Sequence, residues 1–207
     1  MWWSSIDRIR LHGGRSSWWI SRESSGESGW SRTTLRTGHF FSSIRRASLV
    51  YDATNAVAVS RLKVHRDAAH RLGLTLVERP VRTEDEARSV ISAIRKSEVD
   101  GIFSPRLLSL NIPGVILDIA PKRAIPTMFD DVFFVERAGL ASYSANNYEL
   151  GRQAARLVDK ILKGARPGDV PVEQPTKFEL AINLKAAKAL GITIPQSMLV
   201  RANRVIE

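Results

Sequence analysis

Residues 134–195 read FVERAGLASYSANNYELGRQAARLVDKILKGARPGDVPVEQPTKFELAINLKAAKALGITIP. A strand-like Gly139-Leu140-Ala141-Ser142-Tyr143-Ser144 runs through Asn146 and Asn147 into an amphipathic stretch that reaches Lys163. Ala154, Leu157, Val158 and Ile161 recur there at helical spacing and predict one apolar face. Gly164 to Pro167 stop the helix. An extended PVEQPTKFELAIN follows, then a short helix closed by Gly191.

Upstream the same alternation continues. Ala47 to Tyr51 is a short apolar run ending in Asp52-Ala53-Thr54-Asn55, with turn and cap residues. Ala58, Leu62, Ala69 and Leu72 space a helix that Gly73 ends. Leu74 to Val77 predicts a second strand. Thr83-Glu84-Asp85-Glu86 is a capping box ahead of the apolar face Ala87, Val90, Ile91 and Ile94. Asp100 to Ser104 predicts a third strand, Pro113 opens a helix to about Ala120, and Ile125 to Phe129 predicts a fourth strand. Strand and helix alternating at this pace imply right-handed crossovers, hence an α/β fold with a doubly wound, mainly parallel sheet.

Composition sets the outer limits. The chain has 207 residues, 43% hydrophobic and 25% charged, which is a globular balance. It has no cysteine, so disulfides and thiolate metal sites are excluded. No apolar run approaches the roughly 18 residues of a membrane-spanning helix. The net charge of +10 raises the question of a nucleic-acid partner, but half of it sits in residues 1–46, with eight Arg against three acids. That segment also holds all five Trp and eleven Ser without a persistent period, and is expected to be an irregular leader ahead of a lobe at 47–207. Asp7, Arg8 and Arg10 interrupt any apolar core of a secretory signal. The body is only mildly basic, which argues against nucleic acid as a partner.

In open α/β sheets ligands lie outside the carboxyl ends of the strands. The rule selects Asp52, Thr54 and Asn55 after the first strand, Ser104-Pro105-Arg106 after the third, Phe129, Asp130 and Asp131 after the fourth, and Ser142, Tyr143 and Asn146 at the fifth. Hydroxyls and amides offer directed hydrogen bonds, Asp pairs an amine, and Tyr or Phe covers an apolar face. Thr54, Asn55, Asp130 and Asp131 fit helix caps equally well. Arg106 fits a solvated charge, and Tyr143 fits packing. No P-loop, dinucleotide fingerprint or nucleophile elbow occurs, so no cofactor and no catalytic constellation is expected. His65 and His70 are five apart, off the spacing of a shared metal-binding face, and are expected at the surface or an edge.

The order and wording of residues 125–195, and more loosely 45–207, resemble the C-terminal part of ABC-transporter substrate-binding proteins of the tryptophan-binding-like family, which have the type I periplasmic-binding-protein fold. The resemblance implies a non-enzymatic receptor that closes two lobes on a small molecule, such as an amino acid, and hands it to a membrane permease from the periplasm or the outer face of the membrane. It implies ligand contact at Gly139 to Ser144, where Ser144 replaces a usual Gly, and at Tyr51 to Asn55, where Ala53 replaces a usual Pro. It also implies that helix 146–164 crosses the hinge and packs on an N-terminal lobe. At 207 residues such a protein is expected to be truncated, leaving Ala154, Leu157, Val158 and Ile161 exposed or covered by a substitute. The competing readings are the effector domain of a transcription regulator and a fragment without function.

Overall fold

A computed structural model describes residues 44–105 and 109–207. The Trp-rich leader up to residue 43, His12, His39 and Arg106 lie outside the described residues.

Strand β1 (Arg46–Asp52) carries Leu49 and Val50 to opposite faces. Helix α1 (Ala56–Arg71) starts where the Asn55 side-chain Oδ1 accepts from the Val57 and Ala58 amides, and ends at Gly73 with φ +64°. Strand β2 (Thr75–Val81) starts one residue later and runs further than periodicity suggests, through Pro80. It tolerates Pro80 because β2 is the edge strand among the described residues. Helix α2 (Glu84–Ala93) is capped by Thr83, whose Oγ accepts from the Glu86 amide at 3.1 Å. The Glu86 carboxylate reaches back to the Arg82 amide at 2.8 Å, one residue before the expected Thr83. Strand β3 (Gly101–Ser104), helix α3 (Ile112–Ile119), strand β4 (Thr127–Phe129) and the single turn α4 (Val132–Val135) follow. β4 is shorter than expected. Strand β5 (Ala141–Ala145), helix α5 (Asn147–Leu162), strand β6 (Phe178–Asn183) and helix α6 (Leu184–Ala189) match the quoted stretch. A turn of helix, α7 (Gln196–Leu199), and strand β7 (Arg204–Ile206) close the chain without having announced themselves in the sequence.

The sheet order is β2-β1-β3-β4-β5-β6-β7. The first five strands are parallel; β6 pairs antiparallel with β5 and parallel with β7. The fold is therefore α/β and doubly wound. On one face Val50, Val81, Ile91, Ile102, Ile116 and Phe129 join the sheet to α2 and α3. On the other, Leu49, Tyr51 and Leu62 pack α1 against Phe103, and Leu140, Ile182 and Ala187 pack α6. Helices α1 and α3 thus leave neighbouring strands β1 and β3 toward opposite faces. That divergence is the switch point at which such sheets open a crevice.

Candidate ligand-binding rim

Register builds the rim. Ser104 lies opposite Phe129 across β3 and β4, and Phe129 opposite Ser142 across β4 and β5. Residues paired in this way share a level and a face. Asp52 and Val81 end the β1–β2 ladder on the same edge. The carboxyl ends of β1, β3, β4 and β5 therefore form one continuous border, with Asp52 and Ser104 flanking the switch point. Asp130 and Tyr143 each follow one residue beyond the common row.

Each side chain has a distinct situation. Asp52 is only 4% exposed. Its Oδ1 accepts from the Thr54 amide at 2.8 Å and the Thr54 hydroxyl at 2.6 Å. The Thr54 hydroxyl chiefly holds the Asp52 carboxyl below its ordinary pKa, against the opposing effect of burial, with smaller help from the Thr54 amide, Ser109 and the Asn55 amide. Asp52 is therefore a fixed negative charge at the crevice. Thr54 serves Asp52 and not the helix; Asn55 alone caps α1. Ser104 is buried. Phe129 was expected to cover a ligand, but its ring is 1% exposed and stacks on Phe134 at 5.1 Å in the core. Of the two neighbouring carboxylates, Asp131 caps α4, accepting from the Phe133 amide at 2.9 Å, while Asp130 is half-buried. The Ser142 hydroxyl is fully buried and finds no hydrogen-bond partner among the described residues. Such a group costs about 1–3 kcal/mol until something polar reaches it. Tyr143 is 50% exposed and stacks on Phe178, ring centroids 5.6 Å apart and planes 11° apart.

Backbone geometry accounts for one substitution and one retained glycine of the sequence pattern. Ser144 does not have positive φ, so replacing the usual Gly there imposes no strain. Gly139 is needed for space: a Cβ would stand 2.7 Å from the Phe129 ring and 2.8 Å from the Phe134 carbonyl oxygen.

Sequence reasoning missed Ser109, which reaches the Asp52 neighbourhood from the turn after β3, and Phe178, which forms the Tyr143 stack. Both depend on contacts between distant segments. It also placed His65 at the surface or an edge. His65 is buried against Phe103, ring centroids 5.6 Å apart, whereas His70 is exposed. Burial, with a smaller contribution from Arg61, lowers the His65 pKa to about 4, and Glu78 opposes. The available signal was a gap: 58, 62 and 69 are apolar at helical spacing, and position 65 completes the stripe. The depression lined by Leu49, Tyr51, Leu62, His65 and Pro105 has no room even for a water molecule. Among the described residues no group of three His, Cys, Asp or Glu could hold a metal, and no helix is long and apolar enough to cross a membrane.

Comparison with known proteins gives the arrangement its context. The family model described as ABC transporter substrate binding protein matches residues 37–206. No curated protein matches the chain. A conserved domain protein from Vibrio cholerae is 29% identical and superposes with a TM-score of 0.71 over 80% of this chain and 56% of its own. The ABC domain from Streptococcus pneumonia, solved in complex with L-Trp, is 27% identical with a TM-score of 0.70 over 79% of this chain and 55% of its own. A ligand-free, open substrate binding protein with adhesive properties from Clostridium difficile shares the fold at 22% identity, with a TM-score of 0.65 over 81% of this chain and 56% of its own. The chain thus spans little more than half the length of each of these structures. Its sheet order, its register and the family match over residues 37–206 agree: the chain belongs to the ABC transporter substrate binding proteins, solute-binding receptors of the type I periplasmic-binding-protein fold.

Proposed function

We propose that this chain supplies one lobe of a clamshell receptor that holds a small solute, such as an amino acid, at the rim and presents it to an ABC permease in the membrane. Residues 47–207, with Arg46 opening their first strand, form the lobe, and helix 146–164 crosses the hinge. The receptor works outside the cytoplasm, in the periplasm or at the outer face of the membrane. No bond is made or broken.

The observation that carries the reading is the single edge that collects Asp52, Thr54, Ser104, Asp130, Ser142 and Tyr143 in a member of this family. Asp52 supplies an ionised carboxylate for an amine. The lone pairs of the Thr54 hydroxyl supply polar partners, and the buried hydroxyls of Ser104 and Ser142 line the row behind it. The exposed Tyr143 ring offers an apolar platform. Asn55 lies beside Asp52 with its amide group as donor, and Phe129 supports the row from beneath. The L-Trp in the Streptococcus pneumonia structure favours an amino acid as ligand.

Thermal unfolding of the full chain against a panel of amino acids that includes L-tryptophan tests this. One member is expected to raise the midpoint with the logarithm of its concentration, by about 2.7 kcal/mol at a hundredfold excess over Kd. Asp52→Asn and Tyr143→Ala are expected to abolish the response. A flat response to the whole panel would overturn the reading.

A further inference from the structure

The two ends of the sheet carry opposite charge. The carboxyl ends of β1 and β4 bring Asp52, Asp130 and Asp131 to the ligand-binding rim. The amino ends of β1, β3 and β4 are preceded by turns that carry Arg45, Arg95, Lys96, Lys122 and Arg123. These turns are knit into one surface. The Asp100 amide donates to the Arg46 carbonyl and the Ile102 amide to the Pro126 carbonyl, both at 2.8 Å, and the Arg46 guanidinium donates to the Ser97 carbonyl. Neighbouring strands lie about 5 Å apart, so the three turns span about 10 Å. Arg95, Lys96, Lys122 and Arg123 are all exposed. The acids in and beside these turns are already engaged. Asp100 accepts from the Arg45 and Arg46 amides at 2.8 Å and pairs with the Arg46 guanidinium at 3.2 Å. Glu98 pairs with Arg79 at 2.8 Å, and Asp118 stands 3.7 Å from Arg88. Arg95, Lys96, Lys122 and Arg123 are left without a carboxylate among the described residues.

We propose that this basic end of the lobe docks on an anionic lipid surface. The inference shares the membrane setting of the function proposed above and does not depend on which solute is held. Arg95 and Lys96 follow the carboxyl end of α2, and Lys122 and Arg123 that of α3. The attraction of a cation to a helix carboxyl end explains a charge at each place. It does not explain why the two pairs share one surface on which every nearby carboxylate is taken. The chemistry selects a plane of charge over a nucleic acid. Residues 95–100 and 118–124 hold no aromatic side chain on which a base could stack. A plane of headgroups asks only for cations spread over an exposed end, each adding to the attraction. The patch lies at the opposite ends of the strands from Asp52 and Ser104, so docking leaves the rim open to the solute and to the other lobe.

Co-sedimentation of the full chain with vesicles of phosphatidylglycerol and phosphatidylcholine in equal parts, at about 50 mM salt, tests the assignment. Binding is expected, with release at about 300 mM salt and none to phosphatidylcholine alone. Arg95→Gln, Lys96→Gln, Lys122→Gln and Arg123→Gln together are expected to weaken binding about tenfold or more. A control set removes the same charge elsewhere: Lys160→Gln, Arg166→Gln, Lys185→Gln and Lys188→Gln, all at exposed positions, are expected to change binding by less than about twofold. Both sets are expected to keep the unfolding midpoint of the parent. Should the first set lose it, the two double variants, at 95 and 96 and at 122 and 123, are each expected to weaken binding while folded. Equal losses from the two sets would overturn the proposal, as would no binding, or binding indifferent to lipid charge. Duplex DNA bound more tightly at the same salt through the same four residues would overturn it too, and assign the patch to nucleic acid.

Discussion

Helices α1 and α5 are both sixteen residues long, both begin at an asparagine cap and both follow a strand of the same sheet. Helix α5 has the cleaner division between apolar and polar residues, yet its one buried residue is Gln153. Helix α1 has the poorer division and buries Ala58, Leu62, His65 and Ala69. Amphipathic pattern therefore reports that a helix is built to meet something; it does not report that the meeting occurs within the described part of the chain. Helix α1 crosses back over its sheet, and the sheet buries whatever faces it, a histidine included. Helix α5 leaves β5, turns at Gly164 and comes back along an extended segment that meets it through Glu173, Gln174 and Lys177.

The contrast can be tested at matched positions. Leu62→Ala removes a side chain packed between α1 and the sheet and is expected to cost about 2–4 kcal/mol. Val158→Ala trims an exposed side chain and is expected to stay within about 0.5 kcal/mol. Urea unfolding of both variants reads the difference, and equal losses would break it.

The buried stripe of α1 also carries a pH signature. The unfolded chain takes up a proton at His65 near pH 6.5, while the folded chain resists until about pH 4. Stability is therefore complete above pH 6.5 and falls as pH drops toward 4, by up to about 3 kcal/mol. Between pH 6.5 and 5 the slope is expected to vanish in His65→Gln. The carboxylates with lowered pKa, Asp52, Asp67, Glu78, Asp100 and Glu149, lose their contribution only below their ordinary values near 4. A slope unchanged by His65→Gln would place the titrating group elsewhere.

The caps give the finest comparison. Asn55→Ala is expected to lower global stability by about 1 kcal/mol, because α1 unfolds with the sheet. Asn146→Ala removes the acceptor for the Glu149 amide and the donor to Glu179. Because α5 packs on little else, the loss is expected as faster amide exchange over 147–152 with the global midpoint unmoved. A shift of that midpoint would show that α5 is coupled to the core after all.

These contrasts also mark what sequence could and could not say. Four strands and three helices up to Phe129 followed from period and caps, because neighbouring segments pair with each other in a parallel sheet. The rim followed from strand ends alone. What escaped depended on remote encounters: the antiparallel return of β6, the Phe178 ring beneath Tyr143, Ser109 near Asp52, and the addition of β7 at the edge. The extension of β2 through Pro80 was hidden because proline normally forbids a strand, and only its edge position permits it. The burial of Phe129 followed from the fold and not from its place in the chain. Its ring is enclosed by Phe134 and by the backbone that Gly139 allows to come close.

The extended return before β6 has a consequence for how the chain can be cut. Residues 163–169 and 171–174 are exposed and free of strand pairing, so a protease would enter there first. The severed pieces would not part. Strand β6 meets β5 in five register pairs, and the Asn183 amide side chain donates to the Val135 carbonyl at 2.9 Å. A nicked molecule would remain one particle, its two fragments separating only in denaturant.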